Sequence, residues 1–139
     1  MRLNVHVDDT RVQSVLLKQK LKLKNLTPAM QAASIMLHRI VMDNFKAEGR
    51  PQKWPDLSPV TKAIKRKKHG TLPPILVDTG TLRRSIHNDY SRVEARVSTP
   101  VQYAKKHQTG SGNVPPRPFM VLPDSEVPKL VEIVRRYIK

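Results

Sequence analysis

One short run in the sequence has residue types that could perform acid–base catalysis. Residues 75–80 read ILVDTG, which places Asp78 after an apolar stretch and before a threonine and a glycine. This pattern is typical of aspartic proteases, in which two such aspartates share a proton, and a homodimer would supply the second one. However, residues 81–86 are typical of a helix start, no glycine-rich flap is visible, and no second apolar stretch ends in glycine. We therefore expect Asp78 to be a helix N-cap rather than a catalytic acid.

Metal and nucleotide chemistry is not predicted either. No two of the five histidines have the helical spacing of metal ligands, and without cysteine the chain has no disulfide, thiolate or cysteine-bound metal site. The five glycines fit neither nucleotide-binding fingerprint, and residues 110–112 are interpreted as a hinge. We expect no cofactor and no metal. The histidines are His6, His38, His69, His87 and His107.

Charge points to binding rather than to catalysis. Lysine and arginine number 26 against 11 aspartates and glutamates, a net charge of +15, which favours an anionic partner such as nucleic acid, an anionic membrane or an acidic protein surface. The densest basic run is formed by Lys62, Lys65, Arg66, Lys67 and Lys68. Such a run suits sequence-independent contact with phosphates or with an acidic partner, and it also suits a solvated helix face. Aromatic side chains for base stacking are missing from it.

Length and composition bound the fold. The 139 residues suit one domain, predicted over residues 1–139, while 38% apolar residues, 4% aromatic residues and 12 prolines predict a modest core with extended segments. The residues after Met1 do not resemble a secretion signal, and the apolar stretches are too short to span a membrane. We expect a protein that works inside the cell or in a particle assembled there, without a membrane partner.

The N-terminal part, residues 1–48, is predicted to contain a strand and two helices. Alternation of Leu3, Val5 and Val7 predicts the strand, and apolar periodicity predicts the first helix over residues 10–24. The second helix is predicted over residues 28–48. Its apolar stripe consists of Met30, Ala33, Leu37, Ile40, Val41 and Phe45, widened by Ile35, Met36 and Met42.

The remaining segments complete an α+β fold. Residues 49–80 are predicted to be a long basic loop, in which Ser58 and Pro59 start a two-turn helix that ends at Gly70. Residues 81–139 are predicted to hold the rest of the sheet and the C-terminal helix. Their elements are a helix over 81–86, a hairpin of 86–90 with 93–97, a short helix over 103–108, a strand over 117–122 and an amphipathic helix over 127–138. We predict a small antiparallel sheet packed by the long helix and the C-terminal helix.

Four motifs follow one another in the second half of the chain. They are WPDLSPVTK at 54–62, ILVDTGTLRRSI at 75–86, YAKKHQTG at 103–110 and VPPRPFM at 114–120. Each alone has low specificity, but their order and spacing resemble the phage virion morphogenesis family, the tail-completion proteins of Mu-like and related tailed phages. The resemblance covers residues 45–139, and the residues before them are less diagnostic.

The resemblance implies roles for individual positions. Positions that match the family's motifs are fold and assembly determinants there, not catalytic residues. The matching residues are Trp54, Leu57, Thr61, Thr79, Gly80, Leu82, Ser85, Ile86, Tyr103, Ala104, His107, Gln108, Gly110, Pro116, Arg117, Pro118 and Phe119.

The residue types at these positions agree with a structural role. Prolines 115, 116 and 118 predict a stiff arm that could lie across a neighbouring subunit. Tyr103 and Phe119 are typical of core or interface anchors, and His107 is expected to satisfy a local hydrogen bond rather than bind a metal. Arg117 is expected either to bind a neighbour's carboxylate or to be solvated.

The function that the resemblance implies is non-enzymatic. The protein would complete or cap the tail at the phage neck or head-proximal tail end and make it competent to join the head. Copies would form a ring, expected to be a hexamer that matches the tail tube. Its partners would be the tail tube or a tail terminator protein, head–tail connector or adaptor proteins, and packaged DNA. It would assemble in the host cytoplasm and end in the virion.

Two matters stay open at this level. The sequence does not separate a tail terminator from a tail-completion protein or a head–tail adaptor. The charge of +15 also supports an alternative, a standalone protein that binds nucleic acid without sequence preference.

Overall fold

The structure, a computed structural model, describes residues 2–6 and 26–138. Contacts divide the chain into two compact units. The sheet unit comprises, among the described residues, 2–6, 26–40, 87–98 and 122–138, and the motif unit comprises 41–86 and 99–121, which include all four motifs. The helix predicted over 10–24 lies outside the described residues. The single domain over 1–139 stays a prediction.

Helix α1, Thr27–Lys46, is the longest helix in the described part of the chain. All six residues of its predicted stripe are buried, with 0–2% of their surface exposed, so the periodicity identified the packed face correctly. Ile35 was wrongly included in the widened stripe, since half of its surface is exposed. None of the helices in residues 26–138 is both long and apolar enough to cross a membrane.

The sheet unit contains a three-stranded antiparallel sheet in the order β1-β3-β2. Its strands are β1, Arg2–His6, β2, His87–Tyr90, and β3, Glu94–Ser98. The central strand buries Ala95 and Val97 completely, while its alternate residues Glu94 and Arg96 form an ion pair of 3.1 Å. The hairpin and the strand with one wet face are confirmed.

A C-terminal helix completes the sheet unit. A 3₁₀ turn, Asp124–Glu126, leads into the C-terminal helix, Val127–Ile138, whose inner face buries Leu130 and Val134 as predicted. Within the unit, the Asn88 side-chain amide donates to the Ser34 hydroxyl at 3.1 Å. The α+β class and its two principal helices are therefore confirmed.

Helix α2, Pro59–His69, occupies the middle of the segment predicted to be a basic loop. The Ser58 hydroxyl accepts from the Thr61 amide at 3.2 Å, and the Gly70 amide donates to the Arg66 carbonyl at 2.8 Å in a left-handed cap. The predicted start and stop are confirmed, but the helix has 11 residues rather than two turns. Only the flanking parts of 49–80 are irregular, because both caps and the N1 proline favour the helix.

Two short helices follow in the motif unit. Helix α3 is Thr81–Ser85, and α4 is Ala104–Thr109, close to the predicted bounds. The N-cap of α3 is Gly80, which has no side chain to accept a hydrogen bond, so the expected capping role of Asp78 is wrong. With these two helices defined, α5 is the C-terminal helix Val127–Ile138.

The glycine-rich stretch after α4 is a closed turn. The backbones of Ser111 and Val114 exchange two hydrogen bonds, of 3.0 and 2.8 Å. The interpretation of residues 110–112 as a hinge is therefore wrong, because the glycines adopt the positive φ angles that this turn requires.

Residues 117–121 do not form the predicted strand; side chains bind their backbone instead. The Trp54 indole donates to the Pro118 carbonyl at 2.8 Å, and the Asn44 amide donates to the Phe119 and Val121 carbonyls, both at 2.9 Å. The Gln108 side-chain oxygen accepts from the amides of Phe119, at 3.1 Å, and Met120, at 3.0 Å. Since proline cannot donate to a β-ladder, a strand here would lose hydrogen bonds that these side chains supply.

An aromatic cluster packs beside this segment. The Phe45 ring lies 5.3 Å from the Phe119 ring and meets the Trp54 ring edge-on at 5.8 Å, measured between centroids. All three side chains are buried, so Trp54 and Phe119, carried over as assembly positions, are core residues of the motif unit. The cluster combines apolar burial with a hydrogen bond from the indole.

Replacing Gln108 by Met keeps the volume but removes the acceptor of two backbone amides. Unpartnered buried amides are costly, so Gln108→Met is expected to lower the free energy of unfolding by roughly 2–4 kcal/mol. Gln102→Met, at an exposed position, is the matched control and should change it by less than about 0.5 kcal/mol. Denaturant unfolding of both variants measures the difference, and equal stabilities would contradict the bracing role of Gln108.

Candidate partner-binding groove

A groove of about 790 Å³ runs through the motif unit and is lined by residues from all four motifs. A cavity of this size suits a ligand or a segment of another chain. From the first motif and α2 come Asp56, Leu57, Ser58, Thr61 and Lys65; from the second, Leu76, Asp78, Thr79, Gly80, Thr81 and Leu82; from the last two and the turn between them, Tyr103, His107, Asn113, Val114, Pro115 and Arg117. Residues up to 61 positions apart in sequence thus meet on one surface.

Arg117 is the most deeply buried cation of the groove, with 7% of its surface exposed. Its Nε donates to the Pro55 carbonyl at 2.8 Å and its Nη2 to the Asp56 carbonyl at 3.0 Å. Burial lowers the pKa of Arg117, although the guanidinium remains charged at neutral pH. The predicted alternative of a solvated Arg117 is wrong because the side chain is buried, and the alternative of a bond to a neighbour's carboxylate stays a prediction. Within the chain, Arg117 connects the fourth motif to the first.

The basic run on α2 divides according to helical spacing. Lys62 forms an ion pair of 2.6 Å with Asp56, and this hydrogen bond is the main reason why the pKa of Asp56 is lowered. Lys65 lies against the Pro74 and Val77 carbonyls, both at 3.4 Å, and burial lowers its pKa. The run is therefore not a uniform basic surface, because positions three apart face the rest of the motif unit.

Two cations of the run remain exposed. Arg66 and Lys67 form no ion pair with any residue in 2–6 or 26–138. On the same helix, Val60 and Ile64 are also exposed, at 70% and 62% of their surface. Of the predicted basic contact residues, these two are best placed to meet an external anion.

Asp78 is bound by two basic side chains of the same unit. Its carboxylate accepts from Lys68 at 2.9 Å and lies 2.7 Å from His69 Nε2. The hydrogen bond from His69, followed by that from Lys68, lowers the pKa of Asp78 from 3.8 to about 2. The motif that resembles a protease signature thus places its aspartate in a salt-bridge cluster at the end of α2.

His107 lies beside Tyr103 at the groove. Their rings meet edge-on at 5.8 Å, and the buried Nδ1 of His107 has no hydrogen-bond partner among the described residues. Burial, with the nearby Arg117 and Lys106, lowers the pKa of His107. The expected local hydrogen bond is made by its backbone instead, since the His107 carbonyl accepts from the Arg117 amide at 2.7 Å.

The structure places the other motif positions in two groups. Leu57, Thr61, Thr79, Gly80 and Leu82 line the groove with Tyr103. Trp54, Gln108, Gly110, Pro116, Pro118 and Phe119 do not line it; they form the core, the turn and the extended segment beside it. The stiff proline arm therefore folds against its own unit, with Arg117 and Phe119 buried and Pro116 exposed.

Sequence reasoning missed Asn44. This residue is fully buried and binds two carbonyls of the extended segment through its Nδ2, while its Oδ1 accepts from Arg50 at 2.9 Å. The sequence does contain a signal for its burial, because Asn44 falls beside Phe45 on the apolar stripe of α1. A polar side chain at a buried helical position must find partners elsewhere in the fold.

Comparisons with known proteins agree with the motif order. The model of the phage virion morphogenesis family matches residues 7–139. Mu-like prophage FluMu G protein 2 of Haemophilus influenzae is 31% identical over 119 residues, which cover 81% of this chain and 78% of that protein. No solved structure matches the chain. The similarity therefore extends further toward the N-terminus than the motifs do.

The ionisation of Asp78 tests the salt-bridge cluster. A folded-state pKa of about 2, below the ordinary 3.8, means that the cluster stabilises the fold above pH 4 and that this contribution is lost as pH falls toward 2. A carboxyl-carbon NMR titration should give a midpoint near 2. In His69→Gln the midpoint should move toward 3.8, and an unmoved midpoint would contradict the geometry.

Proposed function

The chain belongs to the phage virion morphogenesis family, and from this premise we propose that it acts at the phage neck or head-proximal tail end. There it completes or caps the tail and makes it competent to join the head. The observation that carries the proposal is the convergence of all four motifs on one groove of the motif unit. Positions that build a surface of this kind suit the binding of another chain better than the packing of one domain alone.

The proposed action is binding without catalysis. Asp78, the residue with the strongest resemblance to a catalytic acid, is charged over the whole physiological range and hydrogen-bonded to Lys68 and His69. An aspartate in that state is poorly suited to share a proton with a second aspartate, as a dimeric protease requires. Peptidase activity that is lost in Asp78→Asn would overturn this part of the proposal.

A ring of copies is the proposed assembly. Six copies would match the symmetry of a tail tube, with the tail tube or its terminator protein on one side and head–tail connector or adaptor proteins on the other. Rings of identical subunits need two different surfaces on each copy, because a head-to-tail contact joins unlike patches. The exposed side of α2 that carries Val60 and Ile64 would supply one of these two surfaces, and the groove would bind a different protein of the particle.

Nucleic-acid binding is the second candidate function, favoured by Arg66 and Lys67. They lie exposed on one helix without ion pairs to the described residues, in a chain of net charge +15. Phosphates attract such side chains without regard to base sequence. Within the first proposal the same residues would face packaged DNA in the lumen of the ring, whereas a standalone DNA-binding protein would use them outside the particle.

The proposed position in the particle can be tested by electron microscopy. The sample is a lysate from a phage in which this gene is interrupted. We expect full heads to accumulate beside unjoined or overlong tails, because the tail end is not completed. Tail length then separates termination from joining. Normally joined particles would contradict the assembly role and leave nucleic-acid binding as the leading function.

Charge reversal on α2 tests the exposed cations. In Arg66→Glu/Lys67→Glu we expect fewer joined particles, and the salt dependence of duplex DNA binding should lose a slope of about 2, one per removed cation. Arg135→Glu/Arg136→Glu, which makes the same charge change at exposed positions of α5, is the control. Unchanged joining in the α2 variant would exclude a contact through these residues.

A further inference from the structure

We propose that the groove of the motif unit binds an acidic segment of a partner protein, with a carboxylate side chain that binds Lys65 and Arg117. The inference rests on the proposed function, in which the groove meets another protein of the particle, and adds the chemistry of that partner. It is carried by cations that lack carboxylates, by the engagement of the groove's own acids, and by apolar lining.

The first observation is the incomplete pairing of Arg117. The residue is more than nine-tenths buried, yet its partners are two backbone carbonyls, and no carboxylate of residues 2–6 or 26–138 lies within ion-pair distance. Its Nη1 forms no hydrogen bond with the described residues and is not closed off from solvent. A buried cation without an anion is costly, and this free nitrogen lies on a residue that lines the groove.

The second observation is a further cation at the same groove. Lys65 is half-buried, makes only long hydrogen bonds of 3.4 Å to two carbonyls, and forms no ion pair with the described residues. Burial is the main cause that lowers the pKa of Lys65, and Arg117 lowers it as well, whereas the carboxylates of Asp78 and Glu48 raise it without forming an ion pair with Lys65. One carboxylate bound by both side chains would offset the burial cost of each and their mutual repulsion.

The acids of the groove itself do not supply this carboxylate. Asp56 is paired with Lys62 at 2.6 Å, and Asp78 is paired with Lys68 at 2.9 Å and with His69 at 2.7 Å. The whole chain has 11 acidic residues against 26 basic ones, so a second copy is a poor source of an acidic segment. The occupant is therefore a different protein with acidic residues on its surface.

The lining favours a protein segment over a nucleic acid. Leu57, Leu76, Leu82 and Val114 line the groove together with the Tyr103 ring, and these apolar side chains suit aliphatic neighbours of a carboxylate. The exposed Arg66 and Lys67, outside the groove lining, are better suited to phosphates.

A peptide titration of the full-length protein tests the occupant. The probe is a capped peptide of alternating Glu and Leu, and the observed signal is the Arg117 Nε–Hε resonance at physiological salt, where distant charges are screened. We expect a saturable shift at micromolar to millimolar peptide. In Lys65→Gln the dissociation constant should rise roughly tenfold, and in Lys105→Gln, a control at an exposed lysine of the same unit outside the groove lining, it should change less than about twofold.

A control peptide and three contradicting outcomes complete the test of the acidic occupant. The peptide with Gln in place of Glu should not saturate the shift. Equal weakening in both lysine variants, no saturable shift at millimolar peptide, or a stronger effect of an oligothymidylate on the Arg117 signal would each overturn the inference. The particle phenotype of the interrupted gene is measured separately, so a failed titration beside unjoined tails would remove this inference and leave the proposed function standing.

Discussion

The motif unit depends on hydrogen bonds from side chains to the backbone of residues 117–121. Proline at 116 and 118 removes the donors that a strand would need, so the segment has to be satisfied by other groups. Asn44, Trp54 and Gln108 supply them, each from a different part of the chain. If one of these hydrogen bonds is lost, a buried polar group has no partner, which is costly. Single substitutions of these three side chains are therefore expected to destabilise the segment.

The same interactions set the geometry of the groove. Arg117 is the first residue of the braced segment, and its bonds to the Pro55 and Asp56 carbonyls hold the loop that precedes α2. The Arg117 amide also binds the His107 carbonyl at the end of α4. Arg117 thereby joins three parts of the groove wall: the loop before α2, α4 and the segment that begins with Arg117 itself. The buried side chain of Arg117 therefore fixes the positions of these parts and also brings a positive charge to the groove.

The environment of each basic residue on α2 depends on its position around the helix. Along α2, Lys62 and Lys68 are neutralised by Asp56 and Asp78, whereas Lys65 faces the groove without a carboxylate. Arg66 and Lys67 face solvent. The basic residues of this chain, whose net charge is +15, therefore have three different environments on α2: ion pairs within the fold, the groove, and solvent.

Local signals in the sequence determined the elements. Apolar periodicity located α1 and α5, alternation located the central strand, and Ser58, Pro59 and Gly70 bounded α2. These signals work because helix caps and amphipathic faces are encoded within a few residues. The order of the four motifs also sufficed to identify the family, which the match over residues 7–139 confirms.

Only the tertiary structure decided which side chains meet. The bonds of Asn44 to Phe119, Trp54 to Pro118 and Arg117 to Pro55 join residues 75, 64 and 62 positions apart, and no local pattern encodes such pairs. For the same reason Asp78 was expected at a helix cap but binds Lys68 and His69, and residues 117–122 were expected in a strand but are braced by side chains. Helices and strands could be predicted from the sequence because their signals lie within a few residues. The groove and its cations without ion pairs could not, because they depend on which distant residues lie close together in the folded chain.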